Sequence, residues 1–165
     1  MVAGGCGGLV ESATPMSPST SPAPVPEPTS TAPDAPSESP PSAGSWGPLA
    51  VVPPQDGADT ARTEGTLRIT GTCVFLVERG GPVLLVWPVD RTTWNAERGT
   101  ITFANFDGST VSVGDGTRVV LGGSGDSNDE AGTTTEDWLA RTTWVAPPDA
   151  ACPLDARWWV GALTR

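Results

Sequence analysis

In this chain of 165 residues the side chains able to do chemistry are carboxylates, tryptophans and three cysteines, because His, Lys and Tyr are all missing and the nine basic residues are all Arg. Without His there is no imidazole base, no Ser-His or Cys-His nucleophile pair and no His-held metal. Without Lys there is no Schiff base and no P-loop lysine. Carboxylate chemistry stays open: Asp90, Glu97, Asp107 and Asp115 fall in turn-like segments where two could converge as an acid pair for glycoside hydrolysis, although Asp in a turn ordinarily serves the turn itself. Residues 122–132 concentrate oxygen donors in a Gly-rich stretch. Counted from Asp126, the first, third, fifth and twelfth places of an EF-hand-like loop are Asp126, Asn128, Glu130 and Asp137. Ala131 stands where the sharp turn needs Gly, and Asp137 where a bidentate Glu belongs, so the expectation is a solvated, mobile loop with no metal and no other cofactor.

Tryptophan is the second unusual asset, with Trp87, Trp94, Trp138, Trp144, Trp158 and Trp159 in the C-terminal hundred residues. A surface of Trp94, Trp144 and one of the last pair could stack on sugar rings or line an apolar groove. The competing reading makes most of them core filler. Arg91-Thr92-Thr93-Trp94 recurs as Arg141-Thr142-Thr143-Trp144, but the flanks align poorly and the repeat reads as coincidence.

The chain divides by composition. Thirteen of its eighteen prolines lie between Pro15 and Pro54, whereas six of its seven Trp follow residue 66. From Leu9 to Ala61 the sequence is mainly Pro, Ser, Thr and Ala, which buries too little apolar surface to offset roughly 1–2 kcal/mol of backbone entropy per residue, so a disordered tail is expected. The net charge of -10 argues against a nucleic-acid partner, whose affinity comes from neutralised phosphates. At the start, Met1-Val2-Ala3-Gly4-Gly5-Cys6-Gly7-Gly8 resembles the end of a bacterial lipoprotein signal peptide, with small residues ahead of the cysteine and a spacer behind it. It departs from that pattern in having Ala3 where Leu is usual.

The resemblance implies that Cys6 is lipidated, that residues 1–6 are a signal remnant and 7–62 a linker, and that a domain over 63–165 hangs from the extracytoplasmic face of the cell membrane. The Arg-only, Ala/Gly/Pro-rich usage is similar to that of actinobacterial lipoproteins. The function implied is a noncatalytic binding or envelope-associated module, held to the membrane by its lipid and partnered by a cell-envelope polysaccharide or protein. A small secreted carboxylate hydrolase and a cytosolic interaction domain with a disordered arm are the alternatives. If Cys6 is acylated, Cys73 and Cys152 remain as an even pair, either bridged or buried as two separate thiols.

Positioning any of these groups falls to short strands after Gly65. Period-two alternation or apolar runs predict strands at 66–70, 73–77, 83–87, 100–103, 109–113, 117–121 and 158–163, with 73–77 and 83–87 the most buried. Asp107-Gly108 marks a hairpin. Thr133 followed by Glu136 has capping-box spacing and starts one short helix through Arg141. Val111-Ser112-Val113-Gly114-Asp115-Gly116-Thr117-Arg118-Val119 is similar to the strand, Gly-Asp turn, strand pattern of OB-like and SH3-like barrels. The fold class expected is mainly β: a small antiparallel, closed or partly closed OB-like barrel with one short helix, preceded by the disordered Pro/Ser/Thr-rich tail.

Overall fold

The computed structural model describes residues 46–55 and 61–165. The elements are β1 (Ala50–Val52), β2 (Ala61–Ile69), β3 (Val74–Glu78), β4 (Gly81–Pro88), β5 (Thr92–Asn95), β6 (Thr100–Ala104), β7 (Thr110–Gly114), β8 (Arg118–Ser127), α1 (Asn128–Ala131), α2 (Thr135–Arg141) and β9 (Ala156–Thr164). Five strands close on themselves: β4, β3, β2, β8 and β9 pair in that order, and β9 returns to β4. This is the mainly β, closed barrel expected. The closing pair is parallel, Leu84 to Val86 against Arg157 to Trp159, while the other four pairings of the ring are antiparallel. Closure pairs both edges of the central strands, so the continuous apolar run Val83-Leu84-Leu85-Val86-Trp87 is buried throughout.

Alternation decides which side chains fill the barrel. Leu67, Val74, Leu76, Val83, Leu85, Trp87, Val119, Leu121 and Val160 belong to one buried cluster, joined by Ile101, Phe103 and Val113 from a three-stranded meander of β5, β6 and β7. Trp87 is fully buried and meets Phe103 edge to face at 5.9 Å, a favoured ring geometry. The Asp107-Gly108 hairpin forms as expected between β6 and β7, with Gly108 at φ 82° and the Asp107 carboxylate accepting from Ser109 N–H. Hydrogen bonds from Ser109 hold the Asp107 carboxyl below the usual carboxylate range. The Gly114-Asp115-Gly116 turn does something different. It carries the chain from the meander into the barrel, since β7 pairs with β6 and β8 pairs with β2.

The folded part reaches further toward the N-terminus than residue 63. Trp46 and Leu49 to Val52 are buried, and β1 lies parallel to the end of β4, so these residues belong to the domain rather than to the expected 7–62 linker. The reason is an apolar run of four residues, too short to stand out between prolines, that finds a free stretch of edge. Leu84 pairs with both Phe75 and Arg157, and Val86 with both Ala50 and Trp159. Hence β3 and β1 share one edge of β4, one after the other, and β9 takes the opposite edge. The expected linker at residues 7–45 and 56–60, the expected signal remnant at 1–6 and Cys6 itself lie outside the described residues.

Candidate functional site

A second, outer buried cluster covers one side of the barrel, built from Ala50, Val52, Leu84, Val86, Trp138 and the cysteines Cys73 and Cys152. Cys73 and Cys152 form a disulfide across 79 residues of sequence, with Cα atoms 5.5 Å apart. It ties the entry to β3 to the segment between α2 and β9. Along β9 the side chains alternate: Trp158 and Val160 pack on the inner cluster, while Arg157 and Trp159 face outward to the second. Arg157 is buried and holds three elements together. Its Nε donates to Asp126 at 2.6 Å, its Nη1 to Asn128 at 2.8 Å, and its guanidinium lies 4.5 Å from the Trp138 ring centre.

That arrangement corrects the reading of residues 122–132 as a solvated, mobile loop. Strand β8 runs through Ser127 and pairs with β9 from Val120 onward, and a one-turn helix, α1, follows. Of the three glycines of β8, two leave room for tryptophan. A Cβ on Gly123 would overlap the Trp159 carbonyl, and one on Gly125 would meet the Trp158 ring. The groups counted as calcium ligands are engaged elsewhere: Asp126 and Asn128 on Arg157, Glu130 at the cap of α1, and Asp137 at the cap of α2. Among the described residues no cluster of His, Cys, Asp or Glu is arranged to hold a metal ion. Helix α2 starts one residue later than its expected box, with Thr134 accepting from Asp137 N–H at 3.1 Å.

The tryptophans do not form one surface. Trp94 packs on the inner cluster and over Gly47, where its indole takes the place a side chain would need. Trp144 meets Trp138 edge to face at 5.2 Å and donates Nε1 to the Leu139 carbonyl. Trp159 is different, because it is half-buried and lines a cleft of about 460 Å³ with Val52, Pro53, Gln55 and the helix-end residues Arg141, Thr142 and Thr143. Behind it, a recess of about 70 Å³ shares Val52, Gln55 and Trp159 and extends to Ser124, Arg91 and Gly161.

A bulge lines the recess. Gly122 pairs with Ala162 and Gly123 with Val160, so Gly161 is the extra residue of β9, and its carbonyl accepts from Arg91 Nη1 at 2.8 Å. The Arg91 guanidinium stacks between Phe106, at 3.9 Å, and Phe103, at 5.0 Å. Burial draws its pKa below the ordinary guanidinium value, with neighbouring Asp90 acting in the opposite direction. The two Arg-Thr-Thr-Trp copies thus have unrelated settings, one entering a strand and the other ending a helix. Asp115, another candidate acid, accepts from Ile69 N–H and pairs with Arg68 at 3.6 Å.

The cleft offers an aromatic ring, a guanidinium without an acidic partner among the described residues, the Thr143 hydroxyl and the Gln55 amide, set against apolar Val52 and Pro53, while the Thr142 hydroxyl donates to the Trp138 carbonyl at 2.8 Å. This is the mixture that fixes a small polar ligand by a stacked face and a few hydrogen bonds. Sequence alone pointed to one of the last two tryptophans but not to Pro53, Gln55 or the helix end, since β1 and its register were unseen. Comparison with protein-family models, with curated proteins and with solved structures found no match to the chain.

Proposed function

We propose that this chain is a lipid-anchored, extracytoplasmic binding module of the cell envelope, attached through Cys6 and using the Trp159 cleft to hold a polysaccharide or protein partner without chemistry. The observation that carries the reading is the Cys73–Cys152 disulfide. A bridge of this kind persists in oxidising compartments and leaves Cys6 as the odd cysteine of three, set among the small residues that precede an acylated thiol. The net charge of -10 supports a partner other than nucleic acid. The half-buried indole of Trp159, beside hydroxyl and amide groups, supports a carbohydrate-type contact.

The test is fatty-acid labelling and detergent phase partition of the protein expressed from its own locus, beside a Cys6→Ser variant. The reading requires label and detergent-phase recovery in the native protein and loss of both in the variant. An unlabelled native protein in the aqueous phase would overturn it.

A further inference from the structure

Strand β2 is covered unevenly. On one edge it pairs with β8 from Ala61 to Thr66, and on the other it pairs with β3 only from Thr66 to Ile69. Ala61 to Glu64 therefore have a free edge among the described strands, facing an open groove of about 960 Å³ that reaches to the β3–β4 turn at Arg79 and Gly80, whereas Gly65 lies against the Val77 carbonyl and Thr63 Oγ1 donates to Glu78 at 2.7 Å. Backbone direction along this edge follows from Leu67. Its N–H donates to Thr117 O and its carbonyl accepts from Gly116 N–H, so Leu67 faces the β8 side. Alternation puts Thr63 and Gly65 the same way and turns the N–H and C=O of Arg62 and Glu64 toward the free edge.

An exposed edge invites strand addition, and charged side chains ordinarily discourage it. Here the charges alternate in sign about Thr63, as Arg62-Thr63-Glu64. An antiparallel copy centred on Thr63 sets Arg62 opposite Glu64 of the second chain and Glu64 opposite its Arg62. Both positions are those whose backbone groups point outward, so the same register that pairs the charges also forms the main-chain hydrogen bonds. Glu64 gives up little in exchange, because its present partner Arg118, at 3.3 Å, is a surface pair with both side chains more than half exposed. We propose that two copies of this chain associate edge to edge through residues 62–64 of β2, as an isologous two-fold pair that joins the two barrels at this edge.

Sedimentation equilibrium on the full chain carrying Cys6→Ser, so that no free thiol complicates the result, tests this directly. The parent self-associates reversibly. Arg62→Glu and Glu64→Arg each place like charges opposite one another twice per dimer and weaken association by roughly tenfold or more. Mixed together, these two variants restore association, because each then meets the opposite charge on the other. Glu64→Pro removes an outward-facing N–H that β8 does not use and abolishes the dimer, while circular dichroism and a non-reducing gel show the barrel and its disulfide intact. A parent that stays monomeric at several hundred micromolar overturns the proposal. So does a dimer indifferent to the charge reversals, or a mixture that fails to recover.

Discussion

The two buried clusters of this domain are held together in different ways. The inner one is a closed strand barrel whose apolar side chains, from Trp46 to Leu163, pack together, with the Arg91 guanidinium against Phe103 at one end. The outer one is an added layer, in which α1, α2 and the stretch before β9 are fastened by a disulfide, a buried Arg157 and the tryptophan pair Trp138–Trp144. The inner cluster draws on apolar area distributed over many strands, so its loss is global. The outer cluster relies on a few specific fasteners, each of which can be removed with local consequences. The Trp159 cleft lies where the layer meets the end of β1, so its shape follows the fasteners while its stability follows the barrel.

The largest effect should come from the inner cluster. Trp87 is fully buried, and Trp87→Ala empties the space of an indole beside Phe103, at a cost of about 4–5 kcal/mol. Against an ordinary domain stability of about 5–15 kcal/mol this is roughly a third or more of the folding free energy. Chemical denaturation should show a single transition displaced to much lower denaturant, with inner and outer layers lost together. Two separated transitions would mean that the outer layer survives without the barrel, and the contrast drawn above would be wrong.

How far each cluster could be read beforehand follows from the same contrast. Strands with period two or continuous apolar runs announce themselves, and β2, β3, β4, β6, β7, β8 and β9 were all anticipated in kind. Strand β1 was not, because its three residues sit between proline-rich stretches and gain strand geometry only from the vacant edge beside Val86 to Pro88. The outer half of β8 was hidden for the opposite reason. Gly122, Gly123 and Gly125 look like a flexible loop, yet the Trp159 carbonyl and the Trp158 ring fill the side-chain positions of Gly123 and Gly125, and Ala162 crowds that of Gly122. The information was present in the tryptophans, far along the chain, and only the β8–β9 register brings the two together. The disulfide was legible by counting cysteines, whereas Arg157 as the hub of the layer had no signature in spacing.

Next in size is the disulfide. Replacing Cys73 and Cys152 together by Ala opens a loop of 79 residues and should cost about 4 kcal/mol on a chain-entropy argument. Here the contrast can be sharpened, because the loss should be measurable both as a lower midpoint of thermal unfolding and as faster hydrogen exchange across α2 than across β3 and β4. Equal acceleration in helix and barrel would show that the bridge serves the whole domain rather than its outer layer.

The smallest of these effects separates two ways of breaking one ion pair. Arg157 is wholly buried, whereas the Asp126 side chain keeps 38% of its exposure. Removing the arginine leaves a carboxylate that water can reach, so Arg157→Ala should cost about 2 kcal/mol, mostly for lost packing beneath Trp138. Removing the carboxylate leaves a guanidinium inside the protein with Asn128 as its remaining polar side-chain partner, and Asp126→Ala should cost more, about 3 kcal/mol. Arg157→Met, which keeps the volume and drops the charge, should be the mildest of the three. All three should leave the inner-core signal of Trp87 unchanged while altering the near-ultraviolet signature of Trp138. If the aspartate variant proved the less harmful of the two alanine substitutions, Arg157 would be gaining its solvation from somewhere other than Asp126, and the layer would be fastened mainly by its disulfide and its apolar contacts.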